Sequence, residues 1–261
     1  MSAVAVESTL RAKRDAGRKL LVPYVTGGIT ADWVRVVQAM ADAGADAIEI
    51  GIPFSDPVMD GPTIQEASEQ ALKRGATPIS ILQELAAAGA IGVPLVAMTY
   101  YNIVFRAGHR RFARSLRDAG VAGAIVPDVS LEELGEWEAD AAAEGVETVL
   151  LAAPVTPDNR MAELCQRSRG FIYGVNLMGV TGERGSLADS AGVLAKRLKA
   201  ATTLPVVMGF GISTVEQAVA AAAPADGVVV ASALMRRLLL GDGPDAIGRQ
   251  VAMLRAALDA S

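Results

Sequence analysis

Two rhythms of apolar and polar positions take turns along this chain. Short, almost unbroken apolar runs read as β-strands: Leu20–Val25, Ala47–Ile50, Leu95–Thr99, Gly123–Val126, Thr148–Ala152, Phe171–Val175, Pro205–Met208 and Gly227–Val230. Between them lie Ala- and Leu-rich stretches, such as Asp32–Ala43, Thr63–Arg74, Arg110–Ala119 and Val215–Ala223, whose apolar residues recur at helical spacing. The strands lack a regularly polar face, the pattern of strands covered on both sides. A weak internal repeat marks the joints: A-G-A-D-A-I-E-I from Ala43, A-G-V-A-G-A-I-V from Ala119 and E-G-V-E-T-V-L-L from Glu144. Each ends a helix at a glycine, which tolerates the left-handed cap, and starts a strand two or three residues later.

About eight strand–helix units without a linker or low-complexity break predict an α/β fold. Residues 1–261 are expected to form a single (β/α)8 barrel of the TIM type. Residues 1–16 are expected to add a helix ahead of the first strand, closing the barrel floor. An open doubly wound sheet is the alternative, but no G-x-G-x-x-G follows the first strand.

Composition narrows the partners. A formal net charge of -5 argues against nucleic acid, which would call for a basic stripe, and gives no attraction to an anionic membrane. One cysteine, Cys165, allows no internal disulfide and suits a reducing cytoplasm. The N-terminus lacks a basic region followed by an apolar core, so no signal peptide is expected. The longest apolar stretch, around Ala86–Met98, is broken by Gly and Pro and is too short to cross a bilayer.

In such a barrel, chemistry belongs at the carboxyl ends of the strands and in the loops after them. Glu49 sits there, between Ile48 and Ile50 in an apolar run. It reads either as a strand-end carboxylate paired with a base or an N–H, or as a partly buried acid with a raised pKa. Asp60, in the loop P-F-S-D-P-V-M-D-G-P, is a turn residue or a second acid beside Glu49, while Asp56 has only a turn reading. Thr63 looks like the start of the next helix. Asp128, in V-P-D-V-S, could meet a substrate hydroxyl or cap the following helix.

Two further loops suggest an anion site: G-F-G-I-S at Gly209–Ser213 and A-S-A at Ala231–Ala233, whose backbone N–H groups could cradle phosphate. Met178–Gly185 reads as a lid. None of the five lysines falls at a predicted mouth, which disfavours a Schiff base. One His and one Cys cannot supply the usual zinc ligands. His109 is expected on a solvated helix start and Cys165 in inert packing. The residues by themselves point to carboxylate acid–base chemistry on a small phosphorylated molecule, without a metal.

The run E-I-G-I-P-F-S-D-P-V-M-D-G-P-T-I-Q, Glu49–Gln65, resembles the signature of the tryptophan synthase α-subunit family. G-V-T-G at Gly179, G-F-G-I-S at Gly209, Y-N-I-V-F at Tyr101 and V-P-D-V at Val126 extend the likeness, in family order, over nearly the whole chain. The resemblance implies a barrel with an extra N-terminal helix and retro-aldol cleavage of indole-3-glycerol phosphate to indole and glyceraldehyde 3-phosphate. It implies that Glu49 is the general acid–base and that Asp60 stabilises the positively charged indolenine tautomer. It sets phosphate on N–H groups of Gly182, Gly211, Ala231 and Ser232, Thr181 in the lid, Tyr173 and Asp128 beside the substrate, and Tyr24 and Met98 against the indole ring.

Several positions depart from the family pattern. Ala231-Ser232 stands for Gly-Ser, Asn176 for Ser, Ser130 for Pro, and Tyr24 for the commoner Phe, while the first loop reads T-G-G-I-T. The resemblance also implies a β-subunit partner in an α2β2 complex, with Asp56 near it. Pyridoxal phosphate belongs to that partner, and no cofactor is expected in this chain. A stand-alone lyase and an inactive activator of the β subunit are the competing readings. Related barrel enzymes that would want a mouth Cys or Lys are disfavoured.

Overall fold

In the computed structural model the described residues are 3–175, 184–209 and 211–261, and the side chains of residues 184–189 also fall outside the description. All eight expected strands form: β1 (Leu20–Thr26), β2 (Ile48–Gly51), β3 (Leu95–Met98), β4 (Val121–Ile125), β5 (Glu147–Ala152), β6 (Ile172–Val175), β7 (Val206–Gly209) and β8 (Gly227–Val230). Each pairs in parallel with the next, and β8 closes onto β1. The open sheet is therefore excluded. The expected helices stand where the pattern put them, for example Trp33–Asp42, Pro62–Lys73, His109–Asp118 and Val215–Ala222.

The period of two along each strand sorts its side chains into two layers. Leu20, Val22, Val96, Val149, Phe171, Val207 and Val229 fill the interior. Leu21, Val25, Ile48, Ile50, Ala97, Met208 and Val228 pack outward against the helices. At the seam, a Cβ on Gly227 would lie 2.3 Å from the Leu20 carbonyl oxygen, so only glycine lets β8 close on β1. The glycines of the internal repeat, Gly44, Gly120 and Gly145, take φ of 97°, 77° and 75°, the left-handed caps the sequence called for.

The floor carries its own polar chemistry. The helix Val6–Asp15 lies across it, with Val6 and Leu10 fully buried in the interior cluster. Glu147, at the start of β5, accepts the Val6 N–H at 2.9 Å and the Glu7 N–H at 2.8 Å, satisfying two donors that the first helical turn leaves open. Residues just before a strand repeatedly accept the N–H of the strand alongside. Asp46 takes Leu21 at 2.8 Å, Ser168 takes Leu150 at 3.0 Å, and Asp226 takes Val206 at 2.8 Å. Asp46, wholly buried, is matched by Lys13 at 2.9 Å, Arg18 at 3.1 Å and Arg255 at 3.0 Å. Among the described residues no helix is long and apolar enough to cross a membrane.

Candidate active site

Tyr24 and Glu49 are register partners on β1 and β2 and point into the barrel at its upper end. The close approach is possible because the next inward position of β2 is glycine. A Cβ on Gly51 would lie 1.9 Å from the Tyr24 hydroxyl, and one on Gly209 would lie 2.5 Å from the Tyr173 ring. Two glycines thus clear space for two tyrosines beside one acid.

Glu49 is 3% exposed, its Oε2 has no hydrogen-bond partner, and no cation among the described residues pairs with it. Among the described residues the paired strand-end reading finds no basic partner for it, which leaves the buried-acid reading the better supported. Burial, aided by the negative charge of Asp60, pushes the Glu49 carboxyl up to about 8, and a hydrogen bond from Tyr173 pulls it back only in part. Burial likewise drives the Tyr24 and Tyr173 hydroxyls well above their usual range. The Tyr24 hydroxyl is shared with Thr26 Oγ1 at 3.2 Å.

Asp60 comes to Glu49 from the loop after β2. Its N–H closes a turn onto the Pro57 carbonyl at 3.0 Å, so the turn reading holds, and the side chain still faces the mouth. Burial lifts its carboxyl to about 6 against a lowering hydrogen bond from Tyr100. Tyr100 was not among the residues singled out in the sequence. It lies two residues past the end of β3, is 2% exposed, accepts the Met59 N–H at 3.0 Å and stacks on Phe54 with centroids 5.0 Å apart. An aromatic residue with a polar tip at the carboxyl end of a barrel strand was the available signal.

The other predicted residues divide. Met98 ends β3 on the inner face, opposite Gly51, and Tyr173 faces inward from β6. Asp128 caps a helix, though an earlier one, the first after β3: its Oδ1 accepts the Tyr101 N–H at 2.8 Å, at the start of Tyr101–Ala107. Asp56 is exposed at the loop surface, held by Ser55 at 2.6 Å. Gly211 takes a φ of 54°, and Ala231 precedes the helix Ser232–Leu239. Because β7 and β8 are neighbours, these loops follow adjacent strands, and the first turn of that helix has N–H groups that no preceding turn can satisfy. Thr181, Gly182 and Asn176, with most of the lid segment, lie outside the described residues, as does Phe210.

His109 departs from expectation. It does start a helix, but its side chain is only 10% exposed. Its Nε2 meets the Tyr101 hydroxyl at 3.1 Å, and Tyr101, Phe105 and Trp137 surround the ring. The helix Tyr101–Ala107 folds over it, which local sequence does not reveal. Cys165 is buried packing, as expected.

Two inward carboxylates at the top of a closed parallel barrel, one pushed up to about 8 and the other to about 6, are an arrangement suited to acid–base chemistry in a (β/α)8 fold. Residues 10–257 match the family model described as tryptophan synthase alpha chain. The tryptophan synthase alpha chain of Streptomyces coelicolor is 42% identical over 92% of this chain and 89% of its own length. That of Halorhodospira halophila is 40% identical over 97% and 96% respectively. A solved tryptophan synthase from Mycobacterium tuberculosis superposes with a TM-score of 0.89 at 35% identity, covering 98% of each chain. This chain belongs to the tryptophan synthase alpha chain family, the carbon–carbon lyases that cleave indole-3-glycerol phosphate for tryptophan synthesis.

Proposed function

We propose that Glu49 and Asp60 carry this cleavage as a divided pair, with the whole chain, 1–261, acting as one domain. The observation that supports the division is the separation of their titrations, about 8 and about 6, at one mouth. Near neutral pH Glu49 is protonated and Asp60 ionised. Glu49 gives its proton to indole C3, and positive charge develops on the ring nitrogen, where the Asp60 carboxylate stabilises it. The ionised Glu49 then takes the proton of the glycerol hydroxyl next to the ring. The C–C bond breaks, its electrons return to the ring, and indole and the aldehyde separate. The ring is the electron sink, so the residues of this chain suffice.

Tyr24 and Met98 line the ring's place, while Tyr173 and Asp128 lie on the glycerol side. Thr181 would close over Asp60, and N–H groups of Gly182, Gly211, Ala231 and Ser232 would hold the phosphate. The chain works in the cytoplasm with a β subunit as α2β2, the exposed Asp56 loop toward the partner. Pyridoxal phosphate belongs to that β subunit.

The test is indole release from indole-3-glycerol phosphate by the purified chain, with and without an added β subunit. Slow release that accelerates strongly with β is expected. Fast release by the chain alone would favour a stand-alone lyase, and no release in either condition would favour an inactive activator.

A further inference from the structure

We propose that Tyr100 is the positioning residue for Asp60, a single side chain that fixes both ends of the loop segment Phe54–Asp60 against the barrel. This rests on the catalytic reading of Asp60 above. The Tyr100 ring stacks on Phe54 at 5.0 Å and 25° between planes, while its hydroxyl oxygen accepts the Met59 N–H at 3.0 Å. The hydroxyl keeps one hydrogen of its own to give, and hydrogen bonding from Tyr100 lowers the Asp60 titration against the effect of burial. The stack on Phe54 and the bond to the Met59 amide, one residue before Asp60, hold the phenol against the loop that carries the carboxylate. The tip between these anchors is open to solvent, with Val58 78% and Met59 42% exposed; Gln65 and the Asp60–Pro57 turn hold its backbone, the Gln65 amide donating to the Asp60 carbonyl at 2.9 Å, while Tyr100 is the side chain that ties it to the barrel.

Tyr100 can serve as an anchor because its own backbone is held on both sides. The Thr99 N–H donates to the Ile125 carbonyl at 3.0 Å, and the Tyr101 N–H donates to Asp128 at 2.8 Å. The sequence left Asp128 to a substrate hydroxyl or to a helix cap. The geometry gives it this supporting contact behind Tyr100. Among the described residues, the groups that face Asp60 are Glu49 from β2, Tyr24 from β1, Tyr173 from β6 and Tyr100 from the segment after β3, with Asp128 behind Tyr100. Among the described residues, Tyr100 is the one that lowers the Asp60 titration by a hydrogen bond.

The test is Tyr100→Phe, which keeps the ring and its stack on Phe54 and removes only the hydroxyl. Expected are a fall in kcat of about tenfold or more, the usual worth of a hydrogen bond to a charged group, and a smaller change in KM. The acid limb of the kcat/KM profile should also move to higher pH, because Asp60 loses the bond that favours its ionised form. A purely structural role would lower thermal stability and leave that limb in place. Carbon-13 titration of the Asp60 carboxyl in the folded variant, which needs no turnover, should show the same upward shift. An unmoved limb, an unmoved carboxyl titration, or kcat within about twofold of wild type would each overturn the inference.

Asp60→Asn, run in parallel, separates the two levels. If it is disabled while Tyr100→Phe is unchanged, the Tyr100 inference falls alone. If Asp60→Asn turns over normally, the reading of Asp60 falls and the inference with it.

Discussion

Replacing Glu49 by Gln should stabilise the fold while abolishing turnover, and the gain should grow with pH. Gln keeps the shape of the protonated acid but cannot ionise. The Glu49 carboxyl is 3% exposed and titrates at about 8 instead of the ordinary 4.5. A folded pKa above the unfolded one means that the folded chain holds the proton more tightly. The stability linked to that proton is present in full below about 4.5 and is lost as pH rises toward 8. Each unit of pH in that window removes ~1.4 kcal/mol, which amounts to about 1 kcal/mol at pH 5 and about 3 kcal/mol at pH 7. The Glu49→Gln variant escapes both losses. Its advantage over wild type should therefore widen by about 2 kcal/mol between those conditions, or roughly 5 °C in Tm for a chain of this size. Calorimetric melts of both proteins at the two pH values, beside an indole-release assay, measure it. A variant less stable than wild type at pH 7, or one whose advantage is the same at both, would mean that Glu49 is ionised and well partnered in the native state. The acid–base assignment would then fail.

Turnover should follow a bell centred near pH 7, rising as Asp60 ionises through about 6 and falling as Glu49 loses its proton through about 8. Asp60→Asn should cut kcat far more than KM and shift the alkaline limb to lower pH, since the Asp60 charge helps keep Glu49 protonated; a pH–rate series reads both. Gly51→Ala puts a methyl 1.9 Å from the Tyr24 hydroxyl and should cost about 1–3 kcal/mol. Tyr24→Leu should recover much of that in the double variant, while Tyr24→Phe should not, because the ring itself lies within 2.5 Å; urea melts of the set decide it. Glu147→Gln weakens the charged cap on Val6 and Glu7 and should lower stability by about 1–2 kcal/mol with kcat unchanged, checked by melting and initial rates.

What could be read from the sequence was whatever depends on local periodicity and on the barrel rule that ranks strand ends. The repeat glycines before β2, β4 and β5 announced their caps, and Glu49 announced itself as the polar residue in an apolar run. What stayed hidden depends on which loops neighbouring strands bring together. Asp128 looked like a substrate contact or a cap for the helix after it, yet β3–β4 pairing delivers it to Tyr101–Ala107, the first helix after β3. His109 reads as solvated only until the helix Tyr101–Ala107 covers it. Tyr100 shows its role only once the loop carrying Asp60 has folded back over the end of β3. The distinction between Asp46 and Glu49, three residues apart and both buried, was equally hidden, because it lies in partners distant in sequence.

That last pair shows how one barrel keeps stability and chemistry apart. At the floor, Asp46 is fully buried but meets two lysine or arginine side chains from Lys13–Arg18, a third cation at Arg255, and the Leu21 N–H. Asp226 has Lys199 and the Val206 N–H. These acids are compensated, so removing their charge would strand buried cations and is expected to destabilise the fold. At the mouth, Glu49 and Asp60 face tyrosine hydroxyls and each other, with no cation among the described residues. A phenol donates one hydrogen bond and leaves the proton equilibrium near neutrality, where a guanidinium would hold the carboxylate ionised and useless as an acid. The uncompensated burial lowers stability at the one place where a movable proton is needed. Supplying Glu49 with a cation, for instance by Gly51→Arg in a chain relieved of Tyr24, would make the mouth resemble the floor. The Glu49 titration should fall below neutrality and cleavage should be lost, even though the carboxylate itself remains.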